Sequence, residues 1–375
     1  MSELRVIISG GGTGGHIFPA IAIAQAIKKR FPNSKILFVG AEGRMEMSRV
    51  PEAGFEIIGL PVSGFYREKI WRNAKVLWKL QKSLLKAKKI INEFKPHIAI
   101  GVGGYASGPL LRVAASKKIP ILVQEQNSYP GVTNKLLAAK ASAICTAYPD
   151  MDNYFPKDKI VITGNPCRES ILSDVSKEEA ARFFDLDPSK KTILVIGGSL
   201  GSKTLNQSFQ QGLNLISETD VQLIWQSGDF YFHDLFLEIP NREGTENIRL
   251  YSFLNRMDMA YKMADLVISR AGASSISELS LLGKASILVP SPNVAEDHQT
   301  KNAMALVKNN ATILITDEEA VDMLVAKALE TVYDDKKLKS LSDNISKLAQ
   351  KDSANRIVDE MVKVIKTKFE GDREK

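Results

Sequence analysis

The chain contains 375 residues, of which 44% are hydrophobic and 25% are charged, and its formal net charge is +7. This length is more than one ordinary hydrophobic core accommodates, so we expect two domains. No apolar run approaches the roughly 20 residues of a transmembrane helix, and we expect neither a membrane span nor a signal peptide. The two cysteines, Cys145 and Cys167, provide no disulfide framework or metal-ligand cluster and suit a reducing cytoplasm. The excess positive charge favours an anionic partner, which could be nucleic acid, a phosphorylated substrate or an anionic membrane surface.

A glycine-rich segment, residues 9–19, separates the first apolar run from the first Ala-rich run. Residues 4–8 predict a buried parallel strand, and residues 20–27 predict a helix with Pro19 at its first position. The glycines let a ligand approach the backbone, and the unpaired N–H groups of a helix start favour an anion such as a phosphate. The spacing GxGxxG also fits the dinucleotide-binding fingerprint, so a nicotinamide enzyme remains open at this point, as does a turn that binds nothing.

Strand-like and helix-like segments alternate along the whole chain, which is the pattern of parallel sheets covered by helices. The predicted strands of the first half lie near 4–9, 35–40, 55–60, 97–102, 120–124, 142–146 and 159–163. Those of the second half lie near 192–197, 221–226, 247–250, 265–268, 285–289 and 312–315. The chain closes with predicted helices near 317–332, 335–349 and 352–368.

A second glycine-rich turn repeats this arrangement in the second half of the chain. The segment TILVIGGSLGS, residues 192–202, is an apolar strand that enters a glycine-rich turn before a helix. Two such units predict two Rossmann-like α/β domains with a cleft between their loop-bearing ends. We expect the hinge at 164–166, continuing into the polar stretch 173–187. A dehydrogenase usually needs one such loop, so the duplication argues against a nicotinamide enzyme.

A basic helix is predicted within residues 67–89, where nine basic side chains face a single acid. A stripe of basic side chains and a stripe of apolar side chains lie on nearly opposite sides of this helix, and aromatic residues flank its start. A surface helix with a solvated face and a surface that lies on an anionic membrane both fit this pattern. Nucleic acid fits less well, because the charge is local and no recognition motif accompanies it. The basic stripe is Lys75, Lys79, Lys82, Lys86 and Lys89, and the apolar stripe is Leu77, Leu80, Leu84 and Ile91.

Polar clusters follow several predicted strands. The run Gln124–Asn127 suits sugar hydroxyls or the cap of a loop, and Arg168 could clamp a diphosphate or form a surface salt bridge. Small residues at 271–275 would let a helix start approach a ligand. Glu278 suits a ribose diol, or it interacts with the dipole of its own helix. We find no nucleophile motif and no zinc or calcium spacing, and we expect no metal and no cofactor.

Seven motifs, taken together and in this order, resemble the MurG family over nearly the whole chain. These transferases add N-acetylglucosamine to undecaprenyl-pyrophosphoryl-N-acetylmuramyl-pentapeptide during peptidoglycan synthesis for the bacterial cell wall. The sequence departs from the family pattern at Leu200 and Ser202 of the second loop, at Lys284, and at 294–296. The motifs are GGTGGHIFPA at 11–20, GGYASGP at 103–109, EQN at 125–127, GNPCR at 164–168, GGSLGS at 197–202, SRAGA at 269–273 with Glu278, and DHQTKNA at 297–303.

The resemblance implies a GT-B fold, in which two Rossmann-like domains with parallel sheets face each other across a cleft. The first domain, 1–165, would bind the acceptor and the membrane, and the second, 166–350, would bind UDP-N-acetylglucosamine. The C-terminal helix and tail, 351–375, would pack back toward the first domain. The implied substrate contacts are Thr13, Gly14 and Gly15 at the sugar and diphosphate, Asn127 at the sugar, Arg168 at the donor, Ser199 at a phosphate, the backbone of Leu254 at uracil, Ala273, Ser274 and Ser275 at the diphosphate, Glu278 at the ribose and Gln299 at the sugar.

The resemblance further implies an inverting transfer in which the muramyl 4-hydroxyl attacks the anomeric carbon and UDP leaves. His16 is our candidate for the catalytic base, although it could instead only hydrogen-bond the substrate or its own loop. The lipid-linked acceptor places the enzyme at the cytoplasmic face of the bacterial inner membrane, as a peripheral protein that binds no nucleic acid. A UDP-N-acetylglucosamine epimerase, another GT-B enzyme, a dehydrogenase and a non-catalytic anion-binding protein remain alternatives. The expected membrane contacts are Phe65, Trp71, Lys75, Trp78, Lys79 and Lys82.

Overall fold

The computed structural model describes residues 3–64, 73–198, 200–239, 244–294 and 297–373. The chain divides into two compact units. The first unit consists of Met1–Arg168 together with Gln350–Lys375, and the second consists of Glu169–Ala349. The chain therefore leaves the first unit after Arg168, slightly beyond the boundary expected from the sequence after residue 165.

The first unit is built on a seven-stranded sheet whose neighbouring strands are all parallel. Each strand lies where the hydrophobic pattern predicted it. The strands are β1 Arg5–Gly10, β2 Lys35–Ala41, β3 Glu56–Leu60, β4 Ile98–Gly103, β5 Ile121–Glu125, β6 Ala143–Thr146 and β7 Ile160–Ile162. Their order across the sheet is β3-β2-β1-β4-β5-β6-β7.

Helices connect these strands and cover both faces of the sheet. Along β1, Val6 and Ile8 belong to one buried cluster and Ile7 to another, as the alternation of side chains along a strand requires. The helices are α1 Gly14–Arg30, α2 Glu46–Glu52, α3 Asn73–Phe94, α4 Ser107–Ser116 and α5 Val132–Leu137, with 3₁₀ turns at Ala138–Lys140, Met151–Asn153 and Lys157–Lys159.

Helix α1 begins earlier than the sequence predicted. It starts at Gly14, so Pro19 lies inside the helix and not at its first position. The helical hydrogen bonds begin early, because the backbone N–H groups of His16 and Ile17 already bond the Thr13 carbonyl, at 3.1 Å each. As a result, His16 is part of the first helical turn.

The second unit is built on a six-stranded parallel sheet. Its strands also lie at the predicted positions. They are β8 Thr192–Ile196, β9 Gln222–Gln226, β10 Ile248–Tyr251, β11 Leu266–Ser269, β12 Ser286–Leu288 and β13 Ile313–Leu314, in the order β10-β9-β8-β11-β12-β13. The helices are α6 Lys177–Phe184, α7 Lys203–Gln211, α8 Leu213–Ser217, α9 Asp229–Glu238, α10 Met257–Met263, α11 Ala273–Leu282, α12 His298–Val307, α13 Ala320–Val332 and α14 Asp335–Ser346, with a 3₁₀ turn at Glu169–Leu172.

The polar stretch 173–187, expected to continue a hinge, contains helix α6. Ser176 and Glu179 close a capping box at its start: the Ser176 hydroxyl accepts from the Glu179 N–H, and the Glu179 carboxylate accepts from the Ser176 N–H. Residues 177–184 of this stretch therefore form a helix with its own N-cap, because this serine and glutamate satisfy N–H groups at its start.

The last helix, α15, spans Ser353–Arg373 and belongs to the first unit. Its buried side chains Ile357, Val358 and Met361 join the hydrophobic cluster that β1 and α1 also line. Along the described ranges, no helix combines the length and apolar character needed to cross a membrane.

The strand order reverses once in each sheet, beside the glycine-rich loops. In the first sheet β1 lies between β2 and β4, and in the second β8 lies between β9 and β11. Loops that leave neighbouring strands in opposite directions open a crevice at the carboxyl edge of a parallel sheet, where ligands bind. Each unit therefore has a binding crevice at its own switch point, one beside the β1–α1 loop and one beside the β8–α7 loop.

Candidate active site

The β1–α1 loop presents its backbone to solvent at the switch point of the first unit. Gly12, Thr13 and Gly15 are exposed, and Gly14 is half-buried. Thr13 has extended backbone angles and occupies the N-cap position, but its side chain makes no capping bond to the helix. The first N–H groups of α1 and the Thr13 hydroxyl thus border the crevice, as expected for groups that contact a sugar or a phosphate.

His16 stands in the first turn of α1 and is half-buried. Its Nδ1 lies 3.1 Å from the carbonyl oxygen of Gly11 and 3.3 Å from the hydroxyl of Thr13. Because a carbonyl only accepts, Nδ1 carries the proton in this arrangement, and the lone pair of the neutral imidazole is then on Nε2. The loop thus selects the tautomer that a base acting through Nε2 requires.

The β4–α4 loop supplies the wall against which His16 packs. A Cβ built on Gly103 would lie 2.7 Å from His16 Cδ2 and 2.8 Å from Nε2, and the φ of Gly103 is +102°. Only glycine combines this conformation with this closeness to a ring. The buried hydroxyl of Ser107 ties the two strands together, since it lies 2.9 Å from the Ser9 carbonyl oxygen and 2.8 Å from that of Gly103.

Most of the polar run at the end of β5, for which the sequence left open sugar hydroxyls or the cap of a loop, is buried. Gln124, Glu125 and Gln126 are at most 2% exposed. The Gln124 amide donates to Asn165 Oδ1 at 3.0 Å, and the Gln126 amide donates to the Val102 carbonyl at 2.7 Å. The second role left open, the cap of a loop, fits these three side chains, because their polar atoms bond neighbouring loops and strand ends.

Glu125 organises the loop that carries Asn127. Its Oε1 accepts from the Asn127 N–H at 3.0 Å, and its Oε2 accepts from Gly131 N at 3.1 Å and from the Asn134 amide at 2.8 Å. Burial raises the pKa of Glu125, and these donors oppose the rise. Only Asn127 of the run is half-exposed, and it is the member of the run that a sugar can reach.

Arg168 belongs to the first unit and not to the second domain in which the sequence placed it. Its guanidinium carbon lies 4.8 Å from the centroid of the Phe18 ring, a distance typical of cation–π contacts. Phe18 follows His16 by two residues in α1, so the ring places a cationic group beside the helix that carries the candidate base. This location suits a group that approaches a diphosphate at the reacting end of the donor.

In the second unit, the β8–α7 loop is connected to the loop after β10. The Gln226 side chain lies between them, donating from Nε2 to the Gly198 carbonyl and accepting at Oε1 from the Leu254 N–H, both at 3.0 Å. Ser202, a departure from the family pattern, is the N-cap of α7 and accepts from the Leu205 N–H at 3.3 Å. Ser199, expected at a phosphate, lies outside the described residues.

The β11–α11 loop forms the other wall of the second crevice. Gly272 caps α11 without a side-chain bond, so the N–H groups of Ala273, Ser274 and Ser275 begin the helix as expected for a diphosphate site. The Ser274 hydroxyl oxygen is buried and has no hydrogen-bond partner among the described residues. Buried hydroxyls are usually satisfied, so Ser274 leaves an unused hydrogen-bonding group in the first turn of α11.

Glu278 lies one turn further along α11 and is 6% exposed. Its Oε2 accepts a 3.0 Å hydrogen bond from the hydroxyl of Tyr261, which is 2% exposed and lies on α10. The tyrosine orients the carboxylate, a role that the sequence did not reveal because Tyr261 stands outside the family motifs. A carboxylate oriented in this way can accept both hydroxyls of a ribose.

Gln299 is half-exposed at the start of α12. Its Oε1 accepts from the Ser291 N–H at 2.8 Å, so its amide group is turned away from the loop as a donor. Behind it, Arg270 donates to the Val289 and Pro290 carbonyls, at 3.1 Å each, and to the Asp317 carboxylate. These bonds fix the loops that carry the residues predicted to contact the sugar and the diphosphate.

The described part of the basic helix presents apolar side chains outward. Trp78 is 57% exposed and Leu85 is 70% exposed, and Lys82 Nζ lies 3.6 Å from the centroid of the Trp78 ring. Lys82 and Lys89 share this outer face, while Val76 is buried on the opposite side. Leu77, placed by the sequence in the stripe opposite the lysines, is also exposed, because the buried face is centred on smaller side chains such as Ala87. Phe65 and Trp71 lie outside the described residues, as does the side chain of Lys75.

Comparisons with known proteins show the family to which the chain belongs. Residues 6–146 match the glycosyltransferase family 28 N-terminal domain, and residues 192–357 match the glycosyltransferase family 28 C-terminal domain. A protein of Parabacteroides distasonis named UDP-N-acetylglucosamine--N-acetylmuramyl-(pentapeptide) pyrophosphoryl-undecaprenol N-acetylglucosamine transferase is 60% identical over 98% of this chain and 100% of its own length. A protein of the same name from Phocaeicola vulgatus is 58% identical, with 96% of each chain covered. The chain belongs to the MurG family.

Solved structures agree with this membership. The crystal structure of Acinetobacter baumannii MurG has a TM-score of 0.74 at 25% identity and covers 96% of this chain and 99% of its own. A putative UDP-N-acetylglucosamine 2-epimerase from Listeria monocytogenes has a TM-score of 0.71 at 12% identity, covering 99% and 98%, and shares the fold. The α/β architecture of two Rossmann-like units, the GT-B class and the assignment to the MurG family are thereby confirmed.

Within this member of the MurG family, each unit gathers its own subset of the residues expected from the sequence. The first brings together the Thr13–His16 turn and the backbone of 103–104, with Arg168 near Phe18 on the same helix. The second pairs the 197–202 loop with Leu254 through Gln226, and places the start of α11 at the same switch point. Glu46, Ser107, Gln226 and Tyr261 support these groups and were missed, since each acts through tertiary contacts.

Proposed function

We propose that this chain transfers N-acetylglucosamine from UDP-N-acetylglucosamine to the muramyl 4-hydroxyl of undecaprenyl-pyrophosphoryl-MurNAc-pentapeptide, the lipid I to lipid II step of peptidoglycan synthesis. The observation that carries the proposal is the 60% identity, over 98% of the chain, to a relative whose name states this donor group and this acceptor. The two glycine-rich loops at switch points support it, because a nucleotide sugar and a second sugar each need a crevice.

The second unit would hold the nucleotide. The helix start at Ala273–Ser275 suits the diphosphate, and Glu278, oriented by Tyr261, suits the ribose. Because the Leu254 N–H bonds Gln226, uracil would meet the carbonyl of Leu254 in this arrangement. The amide of Gln299 would donate to the sugar, and Ser199 would approach a phosphate.

The leaving diphosphate gains negative charge as its bond to the anomeric carbon breaks. Pre-aligned N–H groups at the starts of α7 and α11 would stabilise this charge without reorganisation, and the Arg168 guanidinium would add a cation. We expect these groups to carry the stabilisation themselves, so that transfer persists in the presence of a metal chelator.

The first unit would activate the acceptor. The muramyl 4-hydroxyl oxygen forms a bond to the anomeric carbon on the face opposite the departing UDP, which inverts that centre. Its proton passes to Nε2 of His16, whose Nδ1–H is held by the Gly11 carbonyl. Thr13, Gly14, Gly15 and Asn127 would contact the reacting sugar.

The acceptor carries a polyprenyl tail, so the enzyme would work at a bilayer as a peripheral protein on its cytoplasmic face. The outward face of α3 supports this proposal, since it joins the exposed apolar groups of Trp78 and Leu85 to the cations of Lys82 and Lys89. Aromatic and aliphatic side chains flanked by lysines suit the interface of an anionic membrane. The sequence also predicts Lys79, Phe65, Trp71 and Lys75 as membrane contacts.

The test is to incubate the protein with UDP-N-acetylglucosamine labelled in the sugar, with and without a lipid-linked muramyl-pentapeptide acceptor. We expect label in a lipid-linked disaccharide of β configuration, formed only when the acceptor is present. Epimerisation of the donor without acceptor would instead identify a UDP-N-acetylglucosamine epimerase, the activity named for some proteins of the same fold. Retention of configuration would contradict the single displacement proposed here.

A further inference from the structure

Glu46, at the start of α2, is a buried carboxylate beside the β1–α1 loop. It is 0% exposed, and the structure gives it no ion-pair partner within the described ranges. Its Oε2 accepts from the backbone N–H of Gly12 and its Oε1 accepts from that of Ala41, both at 2.9 Å. The side chain therefore joins the end of β2 to the glycine-rich loop through two charge-assisted hydrogen bonds.

Two glycines create the space that this carboxylate occupies. A Cβ built on Gly11 would lie 2.1 Å from Glu46 Oε1, and one built on Gly40 would lie 2.5 Å from Glu46 Cγ. Neither position tolerates a side chain while Glu46 is in place. Burying a carboxylate is costly, and a structural clamp between two strands can be made without charge. The cost points to a role for the charge itself.

The peptide bond between Gly11 and Gly12 connects Glu46 to His16. Its N–H group, on Gly12, donates to Glu46, and its carbonyl, on Gly11, lies 3.1 Å from Nδ1 of His16. A carboxylate that draws on the N–H end of a peptide increases the negative charge on its carbonyl end, so the two hydrogen bonds reinforce each other. The carboxylate, the peptide and the imidazole form one continuous chain of hydrogen bonds.

We infer that Glu46 is a positioning residue that acts on His16 through the Gly11–Gly12 peptide, fixing the Nδ1–H tautomer and strengthening Nε2 as a base. This inference rests on the proposed function, in which His16 takes the proton of the acceptor. An aspartate bonded directly to a catalytic histidine has the same two effects in hydrolases. Here a peptide unit stands between the acid and the imidazole.

The neighbouring elements present both neutral and charged groups to this segment. Gly103, from β4, presents only backbone to the ring, and Thr13 presents a neutral hydroxyl. The guanidinium of Arg168 lies over Phe18 on the same helix, and its positive charge opposes the effect of Glu46 on an imidazolium. Helix α15 meets α1 through the ion pair of Arg30 and Asp359, at the far end of the helix. Glu46 reaches His16 through the Gly12 N–H and the Gly11 carbonyl.

The first experiment compares Glu46→Gln with the wild type and with Glu42→Gln. Both variants lose one negative charge from neighbouring positions, but Glu42 is half-exposed and pairs with Lys86. We expect Glu46→Gln to lower kcat roughly tenfold to hundredfold. We also expect the acidic limb of its kcat/KM profile to move to lower pH by roughly half to one unit, because an imidazolium without the nearby anion loses its proton more readily. Glu42→Gln should change neither.

The second experiment observes His16 in the free protein by NMR, without any reaction. The chain has four histidines, and His16→Gln assigns the signal. In the wild type, ring nitrogen shifts at high pH should show Nδ1 protonated and Nε2 bare, and in Glu46→Gln the titration midpoint should fall. The wild-type measurement remains decisive even where Glu46→Gln does not fold.

The outcomes separate this inference from the proposed function. An Nε2–H tautomer in the wild type, or an unchanged His16 titration in folded Glu46→Gln, would overturn the relay even if transfer proceeds normally. A lower kcat with an unmoved acidic limb would reduce Glu46 to a structural clamp and overturn it as well. Absence of transfer by the wild type would contradict the proposed function, whereas the NMR results would still decide whether Glu46 controls His16.

Discussion

The hydroxyl of Tyr261 donates a 3.0 Å hydrogen bond to Glu278 across the interface of α10 and α11, and both side chains are almost completely buried. A carboxylate held in this way has one orientation toward the crevice, so its two lone-pair directions are set before a ribose arrives. Preorganisation of this kind reduces the entropy that binding would otherwise cost.

We therefore expect Tyr261→Phe to weaken UDP binding roughly threefold to tenfold, the usual range for one lost hydrogen bond, with a smaller effect on kcat. Isothermal titration with UDP measures the change. Tyr333→Phe is the matched control, because the Tyr333 hydroxyl bonds the Asp220 carboxylate at the surface of the same unit. If Glu278 binds the ribose, wild type and Tyr261→Phe should bind an analogue of UDP that lacks both ribose hydroxyls with equal affinity. If Tyr261→Phe weakens the binding of UDP and of the analogue by the same factor, Glu278 does not bind the ribose.

Gly103→Ala should reduce transfer by at least a hundredfold, since the new methyl group would occupy the position of the His16 ring and require alanine at a φ of +102°. UDP binding should change much less, because most of the proposed nucleotide contacts lie in the other unit. Steady-state kinetics and UDP titration of the same preparation separate the two effects.

Gly108→Ala supplies the control for that substitution. Its new Cβ would meet only the Thr133 side chain at 3.6 Å, an ordinary contact, and the position is helical. This variant should retain wild-type transfer. Wild-type activity in folded Gly103→Ala would show that the placement of His16 does not limit the reaction.

The sequence predicted the strands and the glycine-rich turns well, because parallel strands buried on both faces appear as short apolar runs that glycines end. It left open the roles of polar residues that turn inward. The run Gln124–Asn127 suited either sugar hydroxyls or the cap of a loop, and only the fold shows that Gln124 and Gln126 bond groups distant in sequence. Glu46 belongs to no motif that the sequence singled out, and only the fold places it between Gly11 and Gly40.

The outward face of α3 shows a second limit of the sequence. Helical periodicity assigns Leu77 and Leu84 to one apolar stripe, but the helix buries a narrower face that includes Ser83 and Ala87. Which face a helix buries depends on the elements beneath it, here β3 and α4, and not on its own hydrophobic pattern alone. The large apolar groups left outside are those that a membrane could use.

Lys284, a departure from the family pattern, lies between α11 and β12 and donates to the Ala264 carbonyl at 2.8 Å. Burial, with Lys262 and Lys177 nearby, lowers the pKa of Lys284 to about 8, although Asp265 opposes the shift. The unfolded chain then binds more protons than the folded one between pH 8 and the ordinary lysine pKa near 10.5. The contribution of Lys284 to the free energy of unfolding therefore rises with pH across that window and is lowest below it.

Lys284→Met should therefore stabilise the second unit at pH 7, by roughly 1–2 kcal/mol once the lost bond to Ala264 is subtracted. The advantage should shrink as the pH rises from 8 toward 10, where the lysine is neutral in the folded protein. Urea unfolding at pH 7 and pH 9.5 measures both. The exposed Lys308 gives the control, since Lys308→Met should show no such pH dependence; a constant difference for Lys284→Met would contradict the shifted pKa.

The α3 face should bind anionic vesicles by two separable forces. Trp78→Ala with Leu85→Ala removes the exposed apolar groups, and we expect roughly tenfold weaker binding that is the same at low and high salt. Lys82→Gln with Lys89→Gln removes two cations, each worth about 1 kcal/mol near an anionic surface, so binding should fall roughly tenfold or more at low salt and little at high salt.

Sedimentation with vesicles containing anionic or only zwitterionic lipid measures both. Leu215→Ala, which removes an exposed leucine of the second unit, is the control and should bind like the wild type. Vesicle binding that survives both α3 double substitutions would place the membrane contact on another surface.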